Sequence, residues 1–297
     1  MNNSLTVGFI GLGNMGFPMA THLIKKGFSL IVYDVRPEPL DKLKVMGAKI
    51  ADSPRLLAQD ARIILVSLPG SKELKIVILG KEGVLAGSHE ETLILDFSTV
   101  DPQTVIDING EINQKPVRLI DAPVSGGTKN AGKGKLTIMI GATQDEVKEV
   151  MSILKALGEK LFFVGTLGGG ATAKLINNYV AMCNMVVLAE AMNIAEKMGS
   201  INMDTLYEIM TNSSANSYLL QTRIGDRVLK NKYSGGFSVD LGLKDIGLAL
   251  EMSKHLSVPR IVGTISSEMF RTASRMGYGN DDMASLYRLV QKMSASD

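Results

Sequence analysis

From Leu5 to about Val164, short apolar runs alternate with stretches of helical periodicity. The runs are Val7–Ile10, Leu30–Tyr33, Ile63–Ser67, Leu93–Phe97, Leu119–Ala122, Leu136–Ile140 and Phe162–Val164. Such alternation predicts βαβ units and a mostly parallel sheet. Gly27 follows Lys25 and Lys26, which suits a helix C-terminus. Ser53-Pro54 and Asp101-Pro102 each read as an N-cap followed by proline at the first helical position.

After Gly168-Gly169-Gly170 the strand pattern stops. Ala171 to about Met198 is apolar or small on nearly every face, so a helix buried between layers or subunits is expected. Further helical stretches lie near Asp204–Met210, Ser217–Leu229, Asp240–His255, Arg260–Arg275 and Asp282–Met293. The expected class is α/β: a Rossmann-type nucleotide domain over 1–165, then an all-α domain over 166–297 that begins with the long interdomain helix.

Composition adds bounds. Hydrophobic residues make up 45% and charged residues 21% of the 297 positions, a soluble globular profile. The formal net charge of +2 is too near neutral to suggest a nucleic-acid or membrane partner. Cys183 is the single cysteine; it lies in an apolar stretch and reads as filler, in keeping with a reducing, cytoplasmic setting. The segment before Val7 lacks the basic and apolar regions of a signal peptide. His22, His89 and His255 have no metal-ligand spacing, so no metal is expected.

The chemistry begins at Gly11-Leu12-Gly13-Asn14-Met15-Gly16, a G-x-G-x-x-G placed between a strand and a helix expected over Asn14–Lys26. Gly11 permits the tight turn, Gly13 lets backbone approach a pyrophosphate, and Gly16 allows close helix–strand packing. Asp34 ends the second strand, where a carboxylate would accept hydrogen bonds from an adenosine ribose. A nicotinamide cofactor follows from that unit. Asp34 repels a 2′-phosphate and favours NAD, while nearby Arg36, read as a solvated loop residue, keeps NADP possible. Two further strand ends, Ser67–Gly70 and Asp96–Thr99, fit either cofactor contacts or plain turns.

Asp121-Ala122-Pro123-Val124-Ser125-Gly126-Gly127 leaves a strand into small residues whose successive N–H groups can form an anion nest. Lys174 and Asn178 stand four apart on the long helix and share a face. A lysine within an apolar stretch is either functional or snorkels to the surface, and the segment alone leaves both open.

Taken together, the residues resemble the β-hydroxyacid dehydrogenase family, the 3-hydroxyisobutyrate dehydrogenase group. The matching pieces are Gly8–Gly16 with Pro18-Met19, Leu68-Pro69, Asp96–Thr99, Asp121–Gly127 and Gly134–Thr137. They continue through Gly170, Lys174 and Asn178 to Lys244-Asp245 and Leu248-Ala249, in the family's order over nearly the whole chain. The resemblance implies Lys174 as the catalytic lysine and Asn178 as the asparagine that positions substrate and lysine. It implies that Ser125, Gly126 and Gly127 bind the substrate carboxylate, and that Leu68, Pro69 and Thr99 lie near the nicotinamide. Lys244 would reach the cofactor, with Asp245 supporting it. It also implies a homo-oligomer, a dimer or tetramer.

6-Phosphogluconate dehydrogenase is similar around Ser125–Gly127 and Lys174 but carries histidine where this chain has Asn177, which argues against a phosphosugar. The expected activity is reversible hydride transfer between NAD(P) and a small β-hydroxy acid. The alternatives are a physiological reductase of tartronate-, succinate- or sulfolactaldehyde-type semialdehydes, and a non-catalytic nucleotide-binding regulator. Lys129, Asn130, Ser217, Tyr218, Arg223 and Lys232 are candidates for the substrate's far end, each also readable as an ordinary surface residue.

Overall fold

A computed structural model describes residues 6–113 and 115–294 of the chain. Two compact units result, Met1–Lys174 and Leu175–Asp297.

In the first unit, β1 (Thr6–Ile10), α1 (Gly16–Lys25), β2 (Ser29–Tyr33), α2 (Pro37–Val45) and β3 (Lys49–Ile50) open the fold. They are followed by α3 (Pro54–Asp60), β4 (Ile63–Val66), α4 (Ser71–Leu79), α5 (Val84–Gly87), β5 (Thr92–Asp96), α6 (Pro102–Ile112) and β6 (Val117–Asp121). The six strands form one parallel sheet in the order β3-β2-β1-β4-β5-β6. That order reverses beside β1, the switch point where doubly wound sheets bind ligands.

Side chains alternate across the sheet. Val7, Phe9, Ile63, Leu65, Leu93 and Leu95 enter the core on one face. Ile10, Ile31, Ile64, Val66 and Ile94 enter the core on the other. Both faces are therefore covered, which is why these strands read as continuous apolar runs. Register places Ile10 beside Tyr33 and Val66, Val66 beside Asp96, and Asp96 beside Asp121. The carboxyl ends are level, so every loop of functional interest in this unit leaves the same edge.

The predicted caps form. Ser53 accepts the Leu56 N–H at the head of α3, and Asp101 accepts the Gln103 N–H at the head of α6. One expectation needs amending: the last runs do not extend the parallel sheet. β7 (Val124–Ser125) pairs antiparallel with β8 (Leu136–Ile140), and β8 pairs parallel with β9 (Gly158–Phe163) in a separate three-stranded sheet. Gly126 (φ 134°) and Gly127 (φ 74°) turn the chain into the short helix α7 (Gly127–Ala131) and redirect it. α8 (Met151–Leu157) leads into β9.

α9 (Gly169–Met198) is the long helix. Its apolar residues are not buried all round. By length and composition it is apolar enough to cross a membrane, and half of that stretch is buried inside the fold. Ile176, Val180, Val187, Ile194 and Met198 are each more than half exposed.

The second unit adds α10 (Met203–Thr211), α11 (Val239–His255), α12 (Ile261–Ala273) and α13 (Leu286–Ser294) around a core that includes Met185, Met192, Leu220, Ile246, Phe270 and Leu289. The expected helix over Ser217–Leu229 is instead a π-helical turn at Leu220–Gly225 and a 3₁₀ turn at Val228–Lys230. Two tertiary demands override the helical pattern there. Gly225 packs directly under the Tyr207 ring, where a Cβ would collide. Arg223 and Arg227 both turn onto the fully buried Asp282 carboxylate, at 3.2 and 3.4 Å. Arg223 is thereby tied into the helical core.

Candidate active site

At the end of β1, the Gly11 N–H donates to Tyr33 O, and the Ser67 N–H donates to Ile10 O, each at 2.9 Å. Gly11 has φ 89°, and a side chain there would strike the Ser67 carbonyl. A Cβ on Gly16 would strike the Gly11 carbonyl. Both glycines are therefore required by close approach, whereas Gly13 faces open space. The head of α1 is left unguarded: its N-cap residue Met15 makes no side-chain hydrogen bond, and its first turn carries no acid. A helix N-terminus with no capping side chain and no acid, beside an open glycine, fits a pyrophosphate. An adjoining cavity of about 360 Å³ is lined by Leu12, Gly13, Asn14, Phe17, Arg36 and Lys42, among others.

Asp34 is bonded to two residues of that lining, Leu12 and Arg36. Its Oδ2 accepts the Leu12 N–H at 2.6 Å and its Oδ1 accepts the Arg36 N–H at 2.8 Å. The Arg36 side chain folds back, donating Nε to Asp34 Oδ1 at 3.0 Å and Nη2 to Leu12 O at 2.9 Å. Arg36 is still a mostly exposed loop residue, as expected, but its guanidinium is captured by the carboxylate two positions earlier. Burial alone would push the Asp34 carboxyl up. The Arg36 side chain and the N–H groups of Arg36 and Leu12 outweigh burial and hold it below the ordinary carboxylate range.

The next two strand ends are joined. The Leu68 N–H donates to Ser98 Oγ at 2.9 Å, and the Ser98 N–H donates to Asp96 Oδ1 at 2.9 Å. Leu68 also packs beside Gly11, its Cδ2 being 3.0 Å from where a Cβ would stand. Pro69 is exposed and Thr99 half-buried at the same edge. Ser98 was not singled out by sequence; a strand-end serine gives no signal of which backbone it will anchor.

Ser125 lies in β7 opposite Thr137, with the two left-handed glycines Gly126 and Gly127 directly after it. On α9, Lys174 and Asn178 are both buried, at 7% and 4% exposure. Snorkelling to the surface is therefore excluded for Lys174. Asn178 Nδ2 donates to Asp245 Oδ2 at 2.6 Å, and Asn178 Oδ1 accepts from Asn177 Nδ2 at 3.0 Å. Lys244 Nζ lies 3.0 Å from Asp245 Oδ1. Asp245 thus serves Asn178 as well as Lys244, a double role the sequence did not reveal. Cys183 is half-buried, and burial pushes its thiol up, away from a reactive thiolate.

Known proteins match the chain over nearly its whole length. Residues 6–165 match the family described as the NAD-binding domain of 6-phosphogluconate dehydrogenase, and residues 168–290 match the NAD-binding family of NADP-dependent 3-hydroxyisobutyrate dehydrogenase. A 2-(hydroxymethyl)glutarate dehydrogenase from Eubacterium barkeri is 34% identical over 294 residues, covering 99% of this chain and 97% of its own. The chain belongs to the β-hydroxyacid dehydrogenase family. The motif resemblance is therefore shown, and the chain is an NAD(P)-dependent oxidoreductase of the hydroxyacid dehydrogenase type. A 3-sulfolactaldehyde reductase from Escherichia coli (strain K12) is 33% identical, over 96% of this chain and 95% of its own. A Mycobacterium tuberculosis 3-hydroxyisobutyrate dehydrogenase, solved with L-serine, superposes with a TM-score of 0.88 at 25% identity, covering 96% of this chain and 99% of its own.

Proposed function

We propose that this dehydrogenase transfers hydride reversibly between NAD(H) and a small carboxylate with a hydroxyl, or an aldehyde, on the β carbon, with Lys174 as general acid and base. The observation that carries the reading is the buried pair on α9: Lys174, and Asn178 held by the buried Asp245. Burying an ammonium is costly without a task, and a nucleotide sensor has no use for a proton-transfer lysine. A bound nicotinamide supplies or accepts the hydride.

The substrate carboxylate is assigned to the Ser125–Gly127 turn, which fixes the reacting carbon by position. Lys174 takes the hydroxyl proton in oxidation and returns it in reduction. A free lysine has a pKa near 10.4, so the oxidative direction at neutral pH needs that value depressed. Asn178, its amide fixed between Asn177 and Asp245, orients the lysine and substrate. Leu68, Pro69 and Thr99 are assigned to the nicotinamide end, Lys244 to the cofactor, and Asp34 to the ribose, giving preference for NAD over NADP.

Lys174→Ala tests the assignment: kcat should fall about 10²–10⁴-fold. NADH binding, read by fluorescence titration, should persist. Near wild-type turnover would remove Lys174 from the chemistry.

The names of the relatives support a polar or acidic far end on the substrate: one is a dehydrogenase of a dicarboxylate, another a reductase of a sulfonated aldehyde. The second name also favours physiological reduction of a semialdehyde. Steady-state rates in both directions over such a panel decide substrate and direction together.

The chain is further assigned to a homo-oligomer. Ile176, Val180, Val187, Ile194 and Met198 recur at intervals of four or seven along α9 and are exposed. Such a stripe suits packing against a second helix. Light scattering should give a dimer or larger species that Ile194→Glu shifts downward; a monomeric wild-type chain at assay concentration counts against it.

A further inference from the structure

Asp121 is a buried ionisable group with no task in the chemistry above. It is the last residue of β6 and is 1% exposed. Its carboxylate faces backbone donors: Oδ1 accepts the Gly168 N–H at 2.8 Å and Oδ2 accepts the Ala171 N–H at 2.7 Å. These amides head α9 and would otherwise lack partners. Burial pushes the carboxyl up, and the N–H groups of Ala171, Gly168 and Gly170 pull it part of the way back.

The surroundings are shaped for this contact. A Cβ on Gly170 would sit 2.9 Å from Asp121 Oδ2 and strike the Met139 carbonyl. A Cβ on Gly141 would strike the Asp121 carboxylate itself. The backbone around Asp121 is held too, by the Gly141 N–H on Asp121 O at 2.8 Å and the Ala122 N–H on Asp96 O at 2.7 Å.

An ordinary N-cap belongs to its own helix and moves with it. Asp121 does not: it is 47 and 50 residues from the amides it holds. It therefore pins the first turn of α9 to the end of β6. Lys174 lies three residues after Ala171 on that helix, and Ser125 lies four residues after Asp121 on the loop leaving that strand.

We propose that Asp121 is a positioning residue of the reaction, setting Lys174 relative to the Ser125–Gly127 loop through the head of α9. This rests on the reading of Lys174 as the proton-transfer group. Displacing a catalytic group by about 1 Å costs on the order of 10²-fold in rate, and the pinned turn is the part of α9 that carries Lys174.

The test is a double-mutant cycle of Asp121→Asn and Lys174→Ala. Asparagine keeps the size and one acceptor but turns an NH₂ toward a backbone donor. D121N should lower kcat on the order of 10²-fold. Its NADH dissociation constant, from fluorescence titration, should stay within about twofold of wild type. In the K174A background D121N should cost nothing further, because the group it positions is gone. Wild-type kcat in D121N, or the same fold loss in both backgrounds, overturns the proposal while leaving the lysine reading intact. Wild-type turnover in K174A overturns both. If D121N does not accumulate folded, Asp121→Ser, whose hydroxyl still accepts one N–H, enters the same cycle with the same criteria.

Discussion

Two glycine-rich turns lead into two helices in the first unit, and they treat the helix N-terminus in opposite ways. At Gly11–Gly16 the head of α1 carries no side-chain cap and no acid, and Gly13 opens to space. At Gly168–Gly170 the amides that head α9 are closed off by Asp121. The same backbone device therefore serves an external anion in one place and an internal one in the other. A free helix N-terminus waits for a phosphate. An occupied one becomes a fixed point on which a reacting side chain can be hung.

Alanine at corresponding glycines should separate the two turns most sharply. Gly16→Ala forces a Cβ into the Gly11 carbonyl, and Gly170→Ala forces one into the Met139 carbonyl. Strain of about 1–3 kcal/mol corresponds to roughly 5–150-fold. G16A should lose that factor in NADH affinity. G170A should lose it in kcat with NADH affinity kept. If both variants lose NADH affinity alike, the division of labour between the turns is wrong.

A smaller effect is expected at the edge of the open turn. Asp34→Ala should weaken NADH about tenfold, for a lost pair of hydrogen bonds of about 1–2 kcal/mol, and narrow the preference over NADPH. Arg36→Ala should weaken NADPH more than NADH. A wild-type enzyme that prefers NADPH would reverse the assignment of Asp34.

The smallest concerns pH. Asp34 is held below the ordinary carboxylate range in the folded chain. Its pairing with Arg36 therefore stabilises fully above about pH 4 and is lost as pH falls through the depressed value. Wild type should exceed R36A in stability by about 1 kcal/mol or less at pH 6, Arg36 being more than half exposed. Chemical denaturation should show the gap closing below pH 4. A gap independent of pH would mean that Asp34 is not its source.

The open turn was legible in the sequence and the closed one was not, for a physical reason. Strand, glycines, helix and Asp34 fall within about thirty residues, and local geometry sets them. The closed turn needs Asp121 to meet Gly168 and Ala171 across the fold, and a strand-ending aspartate gives no hint of that partner. Asp245 reaching Asn178 across 67 residues is hidden in the same way. The two-residue strands β3 and β7 are too short to show a period. The irregular backbone at Leu220–Lys230 follows from Asp282 and Tyr207, which its own sequence does not contain.

The most direct test of the account compares two aldehydes under NADH: a β-semialdehyde bearing a free carboxylate, and the same molecule with that group as its neutral amide. Docking of a carboxylate at Ser125–Gly127 predicts that kcat/KM falls at least about 10²-fold for the amide, with the NADH dissociation constant unchanged. Equal kcat/KM for the two would contradict it.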